Sequence, residues 1–251
     1  MTTSDRRGKV NLPTATAHEH RLRIYEATRR PRWRNERIVT PWGVIRIAGK
    51  LGQNHADLLD AILYCAERKA VKEDGRIKIL VDPARVRKLA GISGGRQYQQ
   101  LQDELLGAVV EILEPTELRS IGHLVDHIDF ACRADGTPIT RRNPLTRGDR
   151  GLWRVELGKV LCALLNKDIW RSYNPTYIAR LRHGVSQAVA RHTLSHSQQP
   201  QGGWHLVTLI KAVTGEIRGQ ELWNRRRELL ADVEALAEAG VVVEEGRVRR
   251  L

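Results

Sequence analysis

The chain is poor in the residues that mark disulfide-stapled, membrane-spanning or nucleotide-hydrolysing proteins. Its three cysteines, Cys65, Cys132 and Cys162, are widely separated and lie in apolar contexts. An odd count without paired spacing points to reduced, buried thiols and away from a disulfide framework. No apolar run approaches the roughly 18 residues that cross a bilayer, and no signal peptide opens the sequence, so a cytoplasmic protein without a membrane partner is expected. A Walker-type phosphate loop is missing: Gly94 and Gly95 in SGGR read as a hinge. No nucleophile elbow of the G-x-S-x-G kind occurs either. Neither an enzymatic activity nor a cofactor is expected.

Two histidine pairs invite a metal reading. His192 and His196 stand four apart, but Thr193 follows the first His where the zinc-protease pattern needs Glu. His123 and His127 lie near Asp126 and Asp129, again without a spaced third ligand. Ordinary helix-face and strand-face histidines are the expectation. A nicking enzyme would need Tyr173 or Tyr177 as nucleophile beside clustered metal-binding histidines, which the neighbouring prolines and helix signals disfavour.

Acidic charge is also in short supply. Twenty-nine Asp plus Glu face forty-two Lys plus Arg, a formal net charge of +13, which fits a polyanionic partner. Residues 1 to 50 hold twelve basic and four acidic side chains, and residues 171 to 227 hold nine and two. Residues 228 to 251 reverse the sign, with three basic and six acidic.

What the chain does have is one architectural phrase written twice. The second copy is the clearer. Asn174 caps and Pro175 opens a scaffold helix to Ser197, on which Ile178, Leu181, Val185, Ala188, Val189 and Leu194 recur at helical spacing. After a loop with Pro200 and two glycines, Leu206, Leu209, Ile210 and Val213 form a short helix ending near Gly215. Arg218 to Ala239 then reads as one long helix, with Leu222, Leu229, Val233 and Leu236 inward, ending at Gly240 in a left-handed cap. Val241 to Leu251 reads as a hairpin turning at Glu245 and Gly246. In the first copy, Asn54 to Lys72 is the scaffold helix and Ile77 to Val81 a strand. Asp82 and Pro83 start a short helix, Gly91-Ile92-Ser93 is the hinge, and Gly95 to Leu105 is a Gln-rich helix. Val109 to Leu113 and Leu124 to Cys132 would pair as its wing.

These readings give an α+β protein of two tandem winged-helix domains, each a helix-turn-helix plus a β-hairpin wing. Residues 1–37 form a flexible basic arm, with Arg29, Arg30, Arg32 and Arg34 around Pro31 and Trp33. Residues 38–150 form the first domain and end in Arg133 to Gly151, whose composition suits a linker or a long hairpin loop. Residues 151–251 form the second domain, opened by a strand from Leu152 to Leu157. Arg reads guanine, and Asn or Gln reads adenine, through paired donors and acceptors in the major groove. Gln220, Asn224 and Arg227 share a helix face at spacings of four and three. Arg218, Trp223 and Arg226 join them, and Arg96, Gln97, Gln99 and Gln100 are their counterparts in the first copy.

The segments GLWRVELGKVLCALL, RLRHGVSQAVARHTLSH and GQELWNRRRELLADVEALAEAGVVV carry a resemblance. Over residues 38 to 251 the chain resembles the plasmid replication initiators built from two winged-helix domains, the TrfA-like and RepA/RepC-like proteins. The resemblance implies origin repeats of double-stranded DNA as the partner, read by Gln220, Trp223, Asn224, Arg226 and Arg227, with Arg247 and Arg249 of the wing on phosphate. It implies that the first domain adds contacts through Arg96, Gln97, Gln99 and Gln100, or forms a homodimer face when off the repeats. Origin opening and recruitment of a host initiator and replicative helicase would follow. A winged-helix transcriptional regulator on an operator is the alternative.

Overall fold

In the computed structural model, residues 12–142 and 146–251 are described. The chain is α+β, built from short helices and small antiparallel sheets around two apolar clusters. The first cluster centres on the helix Gln53–Tyr64, whose Leu58, Leu59, Ile62 and Leu63 are buried. Its first turn is closed by the Gly52 amide donating to Nδ1 of His55 at 3.1 Å. The helix stops at Tyr64, short of the expected Lys72, because Arg68–Val71 is a strand that folds back on Ile77–Val81 around Gly75. Asp82 then caps the helix Pro83–Leu89 by accepting the Ala84 amide. Gly91, at φ +66°, supplies the left-handed residue that turns the chain into Gly95–Gly107.

One sheet runs in the order Arg68–Val71, Ile77–Val81, Trp153–Leu157, Val125–Phe130. This corrects two expectations. Val109–Glu114 does not pair with Val125–Phe130. It lies in a second sheet, Arg34–Thr40, Gly43–Gly49, Val109–Glu114, Ser120–Gly122. Trp153–Leu157, expected to open the second domain, pairs with both Ile77–Val81 and Val125–Phe130. Its Val155 and Leu157, and Val160, Leu161 and Leu164 of the helix Lys159–Lys167, pack in the first cluster. The division near residue 150 therefore cuts through one unit. Within Arg133 to Gly151 the described residues fit the hairpin alternative, since Thr140–Arg142 pairs with Asp149–Gly151.

The basic arm is corrected as well. Residues 1–11 lie outside the described residues, but Ala15–Thr16 pairs with Trp170–Arg171, and Leu22, Ile24 and Tyr25 are buried in the first cluster. Arg34 is itself buried and donates to the Ile24 and Leu51 carbonyls. The apolar residues between the arginines make this segment a wedge between the halves.

The second cluster gathers the helices Pro175–Ala179, Gly184–Ser195, Leu206–Thr214, Gly219–Leu230 and Val233–Glu238. Both long helices expected here are broken, and one residue accounts for both breaks. Asp232 is buried between Gly219–Leu230 and Val233–Glu238, and its carboxylate accepts the amides of Arg182 (3.3 Å) and His183 (3.0 Å) at the start of Gly184–Ser195. Val241–Glu244 and Arg247–Arg250 form the expected hairpin, turning through Glu245 and Gly246 at φ 49° and 72°. A two-residue strand, Trp204–His205, completes a sheet ordered Trp204–His205, Arg247–Arg250, Val241–Glu244.

Candidate nucleic-acid interface

On the helix Gly95–Gly107, Tyr98, Leu101 and Leu105 face inward and hold Arg96, Gln97, Gln99 and Gln100 outward, all four exposed. The turn before it is tied by Arg87, whose guanidinium donates to the carbonyls of Ile92 (3.2 Å) and Ser93. Gln99 and Gln100 each donate to a carboxylate one turn on, Asp103 and Glu104, at 3.0 Å. The Tyr98 ring stacks on Trp153 with centroids 5.4 Å apart, which fixes the helix against the sheet.

On Gly219–Leu230, Leu229 is buried and Leu222 packs against the second cluster. The apolar side is thereby fixed, and Arg218, Gln220, Trp223, Arg226 and Arg227 are exposed, with Asn224 partly covered. Gln220 Nε2 donates to Asn224 Oδ1 at 3.2 Å, and the Arg227 guanidinium lies 4.8 Å from the Trp223 ring centroid. Such stacking desolvates one face of the guanidinium and leaves its edge free for paired acceptors. Of the wing residues, Arg249 is exposed and paired with Glu244, whereas Arg247 is half-buried and reaches the Gly203 carbonyl at 3.4 Å. Arg250 pins the hairpin to the chain just past Gly184–Ser195 through the carbonyls of His196 and Ser197.

The two polar helices border one cleft of about 870 Å³. Gln97, Gln100 and Glu104 line it from the first half, Arg225 and Glu228 from the second, and Arg30, Lys50 and Arg182 between them. Of the charged lining residues, five are Lys or Arg and two are Glu, so the cleft favours an anion. Gln97 and Gln100 are thus brought beside the second half. Gln220, Trp223, Asn224 and Arg227 are not among the lining residues, and Arg225 presents that helix to the cleft instead. Sequence reading misses Arg225, Arg182 and Lys50, and puts Arg30 in a flexible arm instead of at a cleft. Arg225 sits in the run NRRR, but which of three arginines turns toward the other half depends on how the halves pack.

The alternative sites take ordinary structural roles. His192 and His196 face each other with Nε2 atoms 3.3 Å apart beneath the Trp42 ring. Burial pushes their pKa values down to about 3 and about 4, helped by each other's proximity at His192 and by Arg21 at both. His123 meets the Ala108 carbonyl, and His127 pairs with Asp129, so that pair does not converge. Among the described residues no group of three or more His, Cys, Asp or Glu is placed to hold a metal ion. Tyr173 donates its hydroxyl to Asp60 at 2.9 Å in a buried network, and Tyr177 is exposed on Pro175–Ala179. No helix among the described residues is long and apolar enough to cross a membrane. Comparison with models of protein families, with curated proteins and with solved structures finds no match.

Proposed function

We propose that the chain is a sequence-specific double-stranded DNA-binding protein with two winged-helix modules, acting as a replication initiator on the repeats of a plasmid or integrative-element origin. The observation that carries this reading is the recurrence of one element order. Each half has a buried scaffold helix, a strand, two short helices and a strand pair. Apart from the additional edge strand Arg68–Val71 of the first sheet, the strand orders match: Ile77–Val81, Trp153–Leu157, Val125–Phe130 in one, and Trp204–His205, Arg247–Arg250, Val241–Glu244 in the other. In this reading the Gln- and Arg-bearing helix is the third of each unit; Val125–Phe130 lies against Gly95–Gly107 in the first half, and the second hairpin packs against Val233–Glu238 and Gly184–Ser195. Side chains of those types read base edges, and the basic cleft between the helices suits the phosphate backbone separating two successive grooves.

In this reading Gln97, Gln100, Gln220, Asn224 and Arg227 contact bases, and Arg30, Lys50, Arg182, Arg218 and Arg249 contact phosphates. Origin opening and recruitment of a host initiator and helicase follow from the resemblance to two-winged-helix initiators. The test is a footprint on the DNA beside the coding gene, combined with deletion of the gene from its replicon. Protection of direct repeats and loss of replication support an initiator. Protection of a palindromic operator with replication intact assigns the chain to transcriptional regulators. The absence of any duplex binding overturns both readings.

A further inference from the structure

We propose that Trp33 inserts into the minor groove of bound duplex DNA between the two modules and unstacks a base step there. The inference rests on the DNA-binding reading above and adds the side chain through which binding distorts the duplex, a role that neither the polar helices nor the hairpins supply.

Three observations carry it. The first is position. Residues 28–33 lie between the two halves, and Thr28, Arg29, Arg30 and Pro31 line the cleft that both polar helices border. The chain runs without a bend from Pro31 into the strand Arg34–Thr40, so its side chains alternate in direction. Arg32 and Arg34 line a second hollow of about 530 Å³, whereas Pro31 lines the cleft. Trp33 shares the side of Pro31. The strand pairing agrees: one step beyond the last pair, Arg34 with Gly49, Trp33 comes opposite Lys50, which also lines the cleft.

The second is bracing. Arg29 donates from Nε to Asn54 of the first half at 2.8 Å and from Nη1 to the Leu181 carbonyl of the second at 3.1 Å, while its own carbonyl accepts from Asn54 at 3.0 Å. The Arg32 amide donates to Glu26 at 3.1 Å. Two glycines make room for the backbone: a Cβ on Gly52 would come within 2.9 Å of the Pro31 ring, and one on Gly184 within 2.4 Å of the Thr28 Cα.

The third is what the braced segment presents. Trp33 is 64% exposed, with no hydrogen bond or ring contact among the described residues, beside the exposed Arg30 and Arg32. Two helices lodged in successive major grooves leave one minor groove facing the protein between them. Arginines suit the negative potential of that groove, and an apolar side chain pushed between its base steps unstacks them and kinks the duplex. A bulky ring on a slack loop would yield before the stacked bases do; residues 28–33 are held from both halves.

The test uses two duplexes of one mixed sequence, several helical turns long, identical except that one carries adjacent mismatches at its centre. Affinities of the full chain, Trp33→Ala and Trp33→Phe are measured on both. The ratio between the duplexes is compared, because a partly unfolded preparation lowers both affinities alike and leaves the ratio unmoved. We expect the full chain to favour the mismatched duplex by about tenfold, being spared the unstacking of an intact step. Trp33→Ala should bind the two equally, and Trp33→Phe should keep most of the preference, since insertion needs bulk and not the indole N–H. Equal binding of both duplexes by the full chain, or an undiminished preference in Trp33→Ala, overturns the insertion while leaving the DNA-binding reading intact. Loss of the preference to the same extent in Trp33→Phe overturns it as well. No duplex binding by the full chain, even at low salt, removes the underlying reading and the insertion with it.

Discussion

The guanidinium of Arg191 lies 3.0 Å (Nε) and 2.9 Å (Nη2) from Oδ2 of Asp60, with both side chains buried and each contributed by a different half of the molecule. Around this pair, Nη1 donates to Gln53 at 2.8 Å, Nη2 to Asp57 at 2.7 Å, and Gln187 donates to the second oxygen of Asp57 at 3.0 Å. The two apolar clusters thus meet through a charged seam. Burial pushes Asp60 up to about 6, with Arg191 opposing, so it is ionised at neutral pH and shares the guanidinium with Asp57. Such a seam fixes orientation more sharply than apolar contact, because the fork of the guanidinium has few alternative partners.

Arg191→Met should therefore lower unfolding stability by about 3–5 kcal/mol, since it strands two buried carboxylates. Urea denaturation followed by circular dichroism measures it. A loss below about 1 kcal/mol, the size seen for solvent-exposed pairs, would show that the seam is open to water.

Glu19 provides a pH signature for the same region. Burial, reinforced by Asp60, pushes its carboxyl up to about 8 from an ordinary 4.5, against the opposing hydrogen bonds from the Tyr25 hydroxyl (2.9 Å) and the Thr16 amide (3.3 Å). The folded chain holds a proton that the unfolded chain releases near 4.5. Its contribution is fully present below pH 4.5, declines as pH rises, and is gone above about 8. His192 and His196 act in the opposite sense: held neutral, they cost stability as pH falls from 6.5 toward about 3 and about 4 respectively. Glu19→Gln should accordingly gain on the natural chain as pH rises through that window. A stability difference independent of pH from 5 to 9 would count against a buried, protonated Glu19.

Much of each half was legible in the sequence because local signals set it. Asp82-Pro83, Gly91, Asn174-Pro175, Gly215, Gly240 and Glu245-Gly246 each specify a backbone conformation, and an element begins or ends at each of them. Pairing was not legible. Val109–Glu114, Val125–Phe130 and Trp153–Leu157 all alternate, and nothing local says which is the partner of which. The breaks at Leu181–His183 and Asp232 escaped notice for the same reason: the apolar period runs through them, and only a contact about fifty residues away makes interruption favourable. The outward face of Gly219–Leu230 was readable from composition, whereas the convergence of both polar helices on one cleft depends on the Arg191 seam.

Asp232→Ala should test that tertiary contact directly. It leaves the Arg182 and His183 amides without their acceptor and removes the partner of the His183 ring at 3.1 Å. The expected loss is about 1–3 kcal/mol, the penalty of a buried unsatisfied group. The exposed neighbour Glu234 changed to Ala should stay within about 0.5 kcal/mol. Equal effects of the two changes would mean that Asp232 acts through the helix alone.

The proposed base contacts separate from the phosphate contacts by their dependence on sequence. Asn224 is already oriented by Gln220, and Arg227 by the Trp223 ring, so truncating either removes a preorganised group. Asn224→Ala or Arg227→Ala should cost about 1–3 kcal/mol on the specific site and relax preference at one base position, with little effect on mixed-sequence duplex. Arg249 must first leave Glu244, and a phosphate offers it the same charge on any sequence. Arg249→Ala should weaken all duplexes alike and reduce the salt slope by about 1. Competition binding with single-base variants of the protected repeat distinguishes the two patterns. Should both kinds of change act equally on every sequence, the groove-facing surface lies elsewhere, and the Arg225 side of the same helix, which already borders the cleft, becomes the surface to mutate.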